Sequence, residues 1–434
     1  MKMAGGGHIA ILGSNFWPEA TGSSQTVTEF AEYLVRRGHE VRVATSMPYY
    51  PQWKIWRDYR GAFWRKDEHK GMVILRSWHV VSPHPSTLTR LLHELSLAAF
   101  GLPNMVRVLH RARMAFVVVP ALSYALVGVV VAALTGVTRI VIVKDVMPDA
   151  AVELGMLRNP LMIALSRLMA RWVYRLADEI HTLGEGMRAR IERASPQNKR
   201  IRIVSDTIDG AELAPVPVDR NEFRRRFVAD GVFAVLHTGN MGRKQDLDLL
   251  LRAAVRLKHD PSIQLYIFGD GAEKERFLKR RDELALTNIS HFPLQERWML
   301  PHMLSGADIV LVSQLPEVVD IVVPSKLLTA LGAGAMIVAA CASESETARL
   351  VRASEGGIVI PASDDSALAE QIHRIRAGVV DVASYRQRAR DFALRSFDRD
   401  TVYAGVVDEL FGQDGASARS GLAASAAPAS TGID

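Results

Sequence analysis

From Met114 to Thr138 the chain reads MAFVVVPALSYALVGVVVAALTGVT, 25 positions without a charged side chain. Such a segment belongs either in a bilayer, which a helix of about 20 apolar residues spans, or in the centre of a protein core. Pro120 decides between them. Proline donates no backbone hydrogen bond and disfavours helix at the residue before it. It divides the stretch into AFVVV, a compact β-branched run, and LSYALVGVVVAALTG, of helical length, before RIVIVKD returns to β-branched character. The reading is strand, helix, strand: a βαβ unit whose strands are buried on both faces and therefore lack polar alternation.

The same alternation runs through the chain. HIAILG, EVRVATS, MVILRSW, MAFVVVP, RIVIVKD and EIHTLG read as strands of a first half. FAVLHTGN, IQLYIFGDG, NISHFPL, DIVLVSQ, MIVAAC and GGIVI read as strands of a second. Helical stretches between them imply two parallel sheets covered on both faces, an α/β architecture of two doubly wound, Rossmann-like domains facing across a cleft. The boundaries expected are 1–210, 211–390, a helical segment at 391–411 returning toward the first domain, and a disordered tail at 412–434, whose small polar composition offers almost no apolar anchors. Ligands of such sheets bind beyond the carboxyl ends of the strands.

Composition narrows the function. One cysteine, Cys341, excludes a disulfide framework within the chain and a cysteine-based zinc site, so a reducing, cytoplasmic compartment is expected. Thirteen histidines show no paired-ligand spacing, and His79 and His84 read as surface loop groups, so no metal is expected. The start MKMAGGGHIAILGSN runs into a strand without the apolar region and cleavage site of an export signal. A net charge of +6 favours an anionic partner. No arginine-rich run interleaved with aromatics is present, so nucleic acid is not expected.

Three loops of the second half fall where strand meets helix: HTGNMGRKQD (237–246), FGDGAEKE (268–275) and VVPSK (322–326). Glycine merely ending a strand accounts for any one of them. Together they present backbone N–H groups at helix starts, and two add lysine, which suits a diphosphate. Pro324 marks the start of the third helix, and Gly332 or Gly334 its end.

In this order the sequence resembles glycosyltransferase family 4, the retaining sugar-nucleotide transferases of GT-B fold, and more narrowly its bacterial colanic-acid and O-antigen exopolysaccharide branch. The resemblance covers residues 8–397 and is carried by SNFWPEATGSSQTVTEFAEYLVRRGHEV, MPYYPQW, PSTLTRLLHELS, VKDVMPDAAVELGMLRN, HTGNMGRKQD, FGDG and VPSKLLTALGAG. It implies an acceptor domain at 1–210 and a nucleotide-sugar donor domain at 211–390. Gly22, with Ser23, matches the loop reaching over the donor phosphates. Lys244 matches a diphosphate-binding lysine, and its usual arginine partner falls at Asn240, with Arg243 a substitute. Gly269 and Gly271 match the loop beside the nucleotide, and backbone near Phe292 and Leu294 the base cradle. Ser325, Lys326 and Leu327 lie where the donor diphosphate is held.

Much of the family carries two glutamates eight residues apart. Here Thr329 and Ile321 occupy those places, leaving Glu317 or Asp320 to serve the donor sugar or simply to be solvated loop charges. For the catalytic step, Lys244 and Lys326 face the departing diphosphate, each such electrostatic element being worth about 3 to 4 kcal/mol of barrier. Asp145 and Asp149 are the carboxylates available to the anomeric centre, Asp145 alternatively as a helix cap. Lys144 stands where many relatives have histidine. The family implies no metal and no cofactor beyond the GDP- or UDP-linked co-substrate, with the leaving phosphate deprotonating the acceptor.

The family also implies a polyprenyl-diphosphate-linked saccharide acceptor, and hence peripheral attachment to the inner face of the cytoplasmic membrane. LMIALSRLMARWVYRLADEI (161–180) places Arg167, Arg171 and Arg175 among bulky apolar residues, and residues 88–113 are similar. Both suit an anionic bilayer, and both equally suit a core-facing helix with a solvated side. Two other functions fit the architecture: a sugar-nucleotide 2-epimerase, and a non-catalytic sugar-nucleotide-binding scaffold.

Overall fold

The structure, a computed structural model, describes residues 7–19, 22–83, 86–153, 157–195, 199–242, 244–318 and 325–412. Arg243, Asp320, Ile321, Pro324, His84 and, beyond Gly412, the expected tail lie outside the described residues. Two compact units emerge, Gly184–Met187 with Ser205–Thr401 forming one and the remainder the other. The chain thus divides at Val204, and it rejoins the first unit at Val402.

The first unit runs β1 (His8–Leu12), α1 (Ser23–Arg36), β2 (Val41–Ser46), β3 (Trp64–His69), β4 (Met72–Ser77), α2 (Thr87–Leu109), β5 (Ala112–Val119), α3 (Leu122–Leu134), β6 (Thr138–Val143), α4 (Asp149–Glu153), α5 (Pro160–Leu176), β7 (Glu179–Thr182), α6 (Glu185–Ala194) and β8 (Arg200–Ile203). Its sheet has the order β3-β4-β2-β1-β5-β6-β7-β8. Every pairing is parallel except β3 with β4. The uncharged stretch is indeed β5, α3 and β6. No helix among the described residues is long and apolar enough to cross a membrane. At about 1.5 Å per residue, α3 is far short of a bilayer core of about 30 Å.

Two strands escaped the pattern reading. β3, WRKDEH, is an exposed, charged edge strand with no apolar alternation, and it forms because β4 offers it a partner. Its Asp67 accepts a 2.5 Å bond from Nε of Arg76, which is fully buried on β4. The same guanidinium reaches the carbonyls of Ser46, at 3.3 Å, and Trp17. A buried cation thereby joins β3, β4, the end of β2 and the loop after β1, a network whose disruption would strand a buried charge. β8, RIRI, completes the opposite edge.

The second unit runs α7 (Glu222–Phe227), β9 (Phe233–Asn240), α8 (Leu247–Leu257), β10 (Ile263–Asp270), α9 (Lys274–Glu283), β11 (Ile289–Phe292), α10 (Met299–Gly306), β12 (Ile309–Ser313), α11 (Ser325–Gly332), β13 (Ile337–Cys341), α12 (Glu346–Ser354), β14 (Gly357–Pro361), α13 (Asp365–Arg376) and α14 (Val382–Phe397). All six strands expected are present, wholly parallel, in the order β11-β10-β9-β12-β13-β14. Direction reverses between β9 and β12, which makes their carboxyl ends the topological switch point. α8 begins where the Asp246 carboxylate accepts from the Leu249 N–H at 3.0 Å, and its Leu247, Leu250 and Leu251 enter the core.

The last helix, α15 (Arg399–Phe411), supplies Tyr403, Val406 and Val407 to the first unit's core. Tyr403 meets Phe30 and Tyr33 edge-on at 5.1 and 5.5 Å, and its hydroxyl donates to the Thr26 carbonyl at 3.1 Å. The helical return expected from 391 therefore begins later, because α14 packs on α11 of the second unit. Tyr403→Ala should lower the stability of the first unit by about 3 kcal/mol, the range of aromatic-to-alanine core truncations. Urea unfolding followed by a probe in that unit checks this; a loss below about 1 kcal/mol would show that α15 is not part of its core.

Candidate functional site

In the second unit the loops at the carboxyl ends of β9, β10 and β12 are bonded into one structure. The Met241 N–H donates to the Asp270 carbonyl at 2.8 Å, and the Met241 carbonyl accepts from the Glu273 N–H at 3.0 Å. The Leu315 N–H donates to the Lys244 carbonyl at 3.1 Å, and Lys326 Nζ donates to Gln245 Oε1 at 2.8 Å. Backbones this close need glycine. A β-carbon on Gly269 would lie 2.3 Å from the Gly239 carbonyl, and one on Gly271, whose φ is +155°, would lie 2.5 Å from the Met241 carbonyl.

Lys326, in the first turn of α11, is the electrostatic centre of this edge. Burial lowers its pKa from the ordinary lysine range to about 8, a cation held where little solvent screens it. The neighbouring His237 is buried and pushed well below its usual pKa, first by desolvation and then by the Lys326 charge, so it stays neutral. The α11 N-terminus adds its own positive dipole to that lysine. Ser325 is exposed in this turn; Leu327 is wholly buried, so what it offers a ligand is its backbone. The Thr329 hydroxyl donates back to the Lys326 carbonyl at 3.0 Å.

The other residues assigned to this edge are distributed along it. Lys244 is half-buried, and Asn240 and Glu317 are exposed. Phe292 closes β11 and stacks on Phe268 at 4.9 Å, while Leu294 is 57% exposed just beyond it. The sheet order thus brings Asn240, Lys244, Gly269, Gly271, Phe292, Leu294, Glu317, Ser325, Lys326 and Leu327 to one edge of one sheet. Sequence reading missed Gln245, whose amide oxygen fixes the Lys326 amine.

In the first unit the carboxyl edge carries Gly22, Ser23, Asp145 and Asp149. Gly22 stands at the N-cap of α1 with φ 62° and ψ −144°, a conformation open almost only to glycine. Asp145, half-buried, follows β6 and precedes α4 by four residues. Asp149 opens α4 and accepts from Arg167 Nη2 at 3.3 Å. Glu19, unremarked in the sequence, is buried in the loop after β1 and accepts from the N–H groups of Tyr49 and Tyr50, each at 2.7 Å. Desolvation raises its pKa against those bonds. His79 is also a correction: it is completely buried, not a surface group, and desolvation lowers its pKa to about 3. It meets Tyr49 at 4.7 Å and His93 at 5.2 Å in a ring cluster with Trp53.

The helices over one face of this sheet follow the order α2, α3, α5. α5 starts at Asn159, whose side chain accepts from the N–H groups of Leu161 and Met162 at 3.0 and 3.2 Å. It buries Ala170, Val173 and Tyr174, whereas Leu161, Leu165, Leu168 and Trp172 are exposed. α2 likewise exposes Leu88, Leu92, Leu95, Leu102 and Val106. Both are stripes at helical spacing, so these helices are apolar on their outer sides as well.

Residues 21–207 match the family model described as glycosyl transferase 4-like domain, and residues 233–377 the model described as glycosyl transferases group 1. The chain is 30% identical over 414 residues to the putative colanic acid biosynthesis glycosyl transferase WcaI of Escherichia coli K12, covering 93% of this chain and 100% of that protein. Among solved structures, Anabaena Alr3699/HepE in complex with UDP and glucose superposes with a TM-score of 0.67 at 14% identity, over 94% of this chain and 100% of that one. Sucrose-phosphate synthase from Thermosynechococcus elongatus gives 0.70 at 16% identity, over 95% of this chain and 100% of that one. The matched models, the full-length relative and the two doubly wound sheets agree: this chain is a member of the group 1 and 4-like glycosyltransferases, with the GT-B fold.

Proposed function

We propose that the protein is a retaining glycosyltransferase that moves a sugar from a GDP- or UDP-linked donor to a polyprenyl-diphosphate-linked saccharide in bacterial exopolysaccharide, capsule or O-antigen assembly. The observation that carries the donor assignment is Lys326: a half-buried cation at a helix start, tied to the β9 loop at the switch point of the second sheet. Backbone N–H groups, a helix dipole and a lysine on one sheet edge are what a diphosphate requires. The UDP bound by HepE and the colanic-acid role in the name of WcaI support the donor class and the pathway class.

In this reading Lys326, Lys244 and the α11 dipole stabilise the charge developing on the leaving diphosphate. Asp145 faces the positive charge developing at the anomeric carbon. The leaving phosphate accepts the acceptor's proton on the same face, which retains anomeric configuration. Thr329 supplies no carboxylate, and Glu317 is the described acid available to the donor sugar. The acceptor class and the exposed stripes of α2 and α5, with Arg167, Arg171 and Arg175 beside the latter, support peripheral attachment to the inner membrane face.

Lys326→Ala should weaken UDP or GDP binding and lower kcat/KM together, by roughly 100-fold, because the cation meets the diphosphate in both ground and transition states. Unchanged kinetics would remove the lysine from the site. With its free-state pKa at about 8, Lys326 is charged below that pH and neutral above it. Nucleotide affinity should therefore fall roughly 20-fold between pH 7.5 and 9.5 in the wild type. Lys326→Met should flatten that dependence, and an equally steep variant would assign it to another group.

Asp145→Asn should lower kcat with nucleotide affinity kept, whereas a variant that loses its fold would make Asp145 a structural cap. Vesicle co-sedimentation tests the membrane assignment. Binding should require anionic lipid, decline with salt, and be lost in Leu165→Glu/Trp172→Glu; a wild type that ignores anionic vesicles at low salt would refute it.

A further inference from the structure

Within the first unit, the residues after β6, one flank of α5 and the last turns of α6 line an open cavity of about 280 Å³. Arg167 and Arg171 line it from α5, Arg190 and Arg193 from α6, and a single carboxylate, Asp149, faces them. Asp149 engages Arg167 at 3.3 Å, while Arg171 and Arg193 have no carboxylate partner among the described residues. Arg171 and Arg193, both exposed at this pocket, leave it with a positive excess that an anion would meet. Arginine rather than lysine on every side suits an anion with several oxygens in fixed geometry, since the planar fork bonds phosphate in a bidentate manner.

The cavity also holds an orphaned donor. The Tyr174 hydroxyl is completely buried and has no hydrogen-bond partner among the described residues. Burial, reinforced by the Asp149 charge, raises its pKa, so it stays protonated and able to donate. Leaving a buried hydroxyl without a partner is costly, and a phosphate oxygen would relieve that cost.

The surroundings define what carries the anion. At about 100° per residue, Arg171 lies beside the exposed stripe of Leu165, Leu168 and Trp172 on the same helix. A free anion has no use for an exposed apolar stripe on the helix that lines its site; an anion at the head of a lipid chain does. The wall Val146–Asp149 follows Asp145 directly in the chain.

We propose that this cavity binds the diphosphate of the lipid-linked acceptor, with the lipid chain leaving along the outer face of α5. The assignment rests on the reading of the chain as a transferase to a lipid-linked saccharide, and its test is independent of turnover. The full chain, with nucleotide at saturation in the donor site, is titrated calorimetrically with farnesyl diphosphate, with inorganic pyrophosphate and with farnesol. Farnesyl diphosphate should bind at least tenfold more tightly than pyrophosphate, pyrophosphate should compete with it, and farnesol should not bind detectably. Arg171→Gln/Arg193→Gln should weaken farnesyl diphosphate at least 30-fold while nucleotide affinity stays unchanged.

Tyr174→Phe, which keeps the buried ring, should weaken farnesyl diphosphate three- to tenfold, and it decides the matter if the double variant does not fold. No binding of farnesyl diphosphate, or equal binding by these variants, overturns the proposal. Equal affinity for pyrophosphate and farnesyl diphosphate overturns the lipid assignment. If farnesyl diphosphate binds while no nucleotide does, the transferase reading fails and the cavity assignment stands.

Discussion

The carboxyl edge of the second unit's sheet depends on two backbones approaching closer than any side chain allows. Gly269 and Gly239 are register partners on β10 and β9, and a β-carbon at 269 would meet the Gly239 carbonyl at 2.3 Å. That approach lets the Met241 backbone bond to both Asp270 and Glu273. The β9 loop, so held on one side, is held on the other by Leu315 and Lys326. Lys326 is thus positioned by a sequence of contacts that begins with two absent β-carbons, and its burial follows from the same close fit. Desolvation lowers that amine to about pKa 8, which still leaves it mostly charged at neutral pH.

The first unit is built on a different balance. Its central strands are apolar on both faces, and polar order is concentrated at the carboxyl edge, where buried Glu19 and Arg76 fix loops through backbone groups. Outside the sheet, α5 divides its circumference three ways. Ala170 and Val173 face the core, Arg167 and Arg171 line the cationic cavity, and Leu161, Leu165 and Trp172 face outward. Its exposed circumference thus carries both arginines and a stripe of large apolar residues, which is unusual for a purely solvated surface.

Much of this was legible in the residues. The interruption at Pro120 separated β5 from α3, and short apolar runs marked most strands of the second sheet, because buried parallel strands carry their signal in composition. Glycine and lysine at strand-to-helix junctions marked loops that share the carboxyl edge of the second sheet, for a local reason: conformation and charge at a helix start are written within a few residues. β3 was illegible because a charged edge strand depends on its partner rather than on its own pattern. The burial of His79 was illegible because the rings that enclose it come from Tyr49, Trp53 and His93, distant in sequence or on another element.

By itself, the sequence determined the architecture and the chemistry available at each loop, since periodicity, β-branching, proline and glycine act over a few residues along the chain. Only the tertiary structure decided which of those groups share a site. Arg171 and Arg193 are 22 positions apart and carry no joint motif, yet both line one cavity with Tyr174 and Asp149. Gln245 reaches Lys326 across 81 positions. Such meetings follow from the order in which strands enter the sheet and from the packing of helices upon it. Those are properties of long-range contacts, which no local pattern encodes.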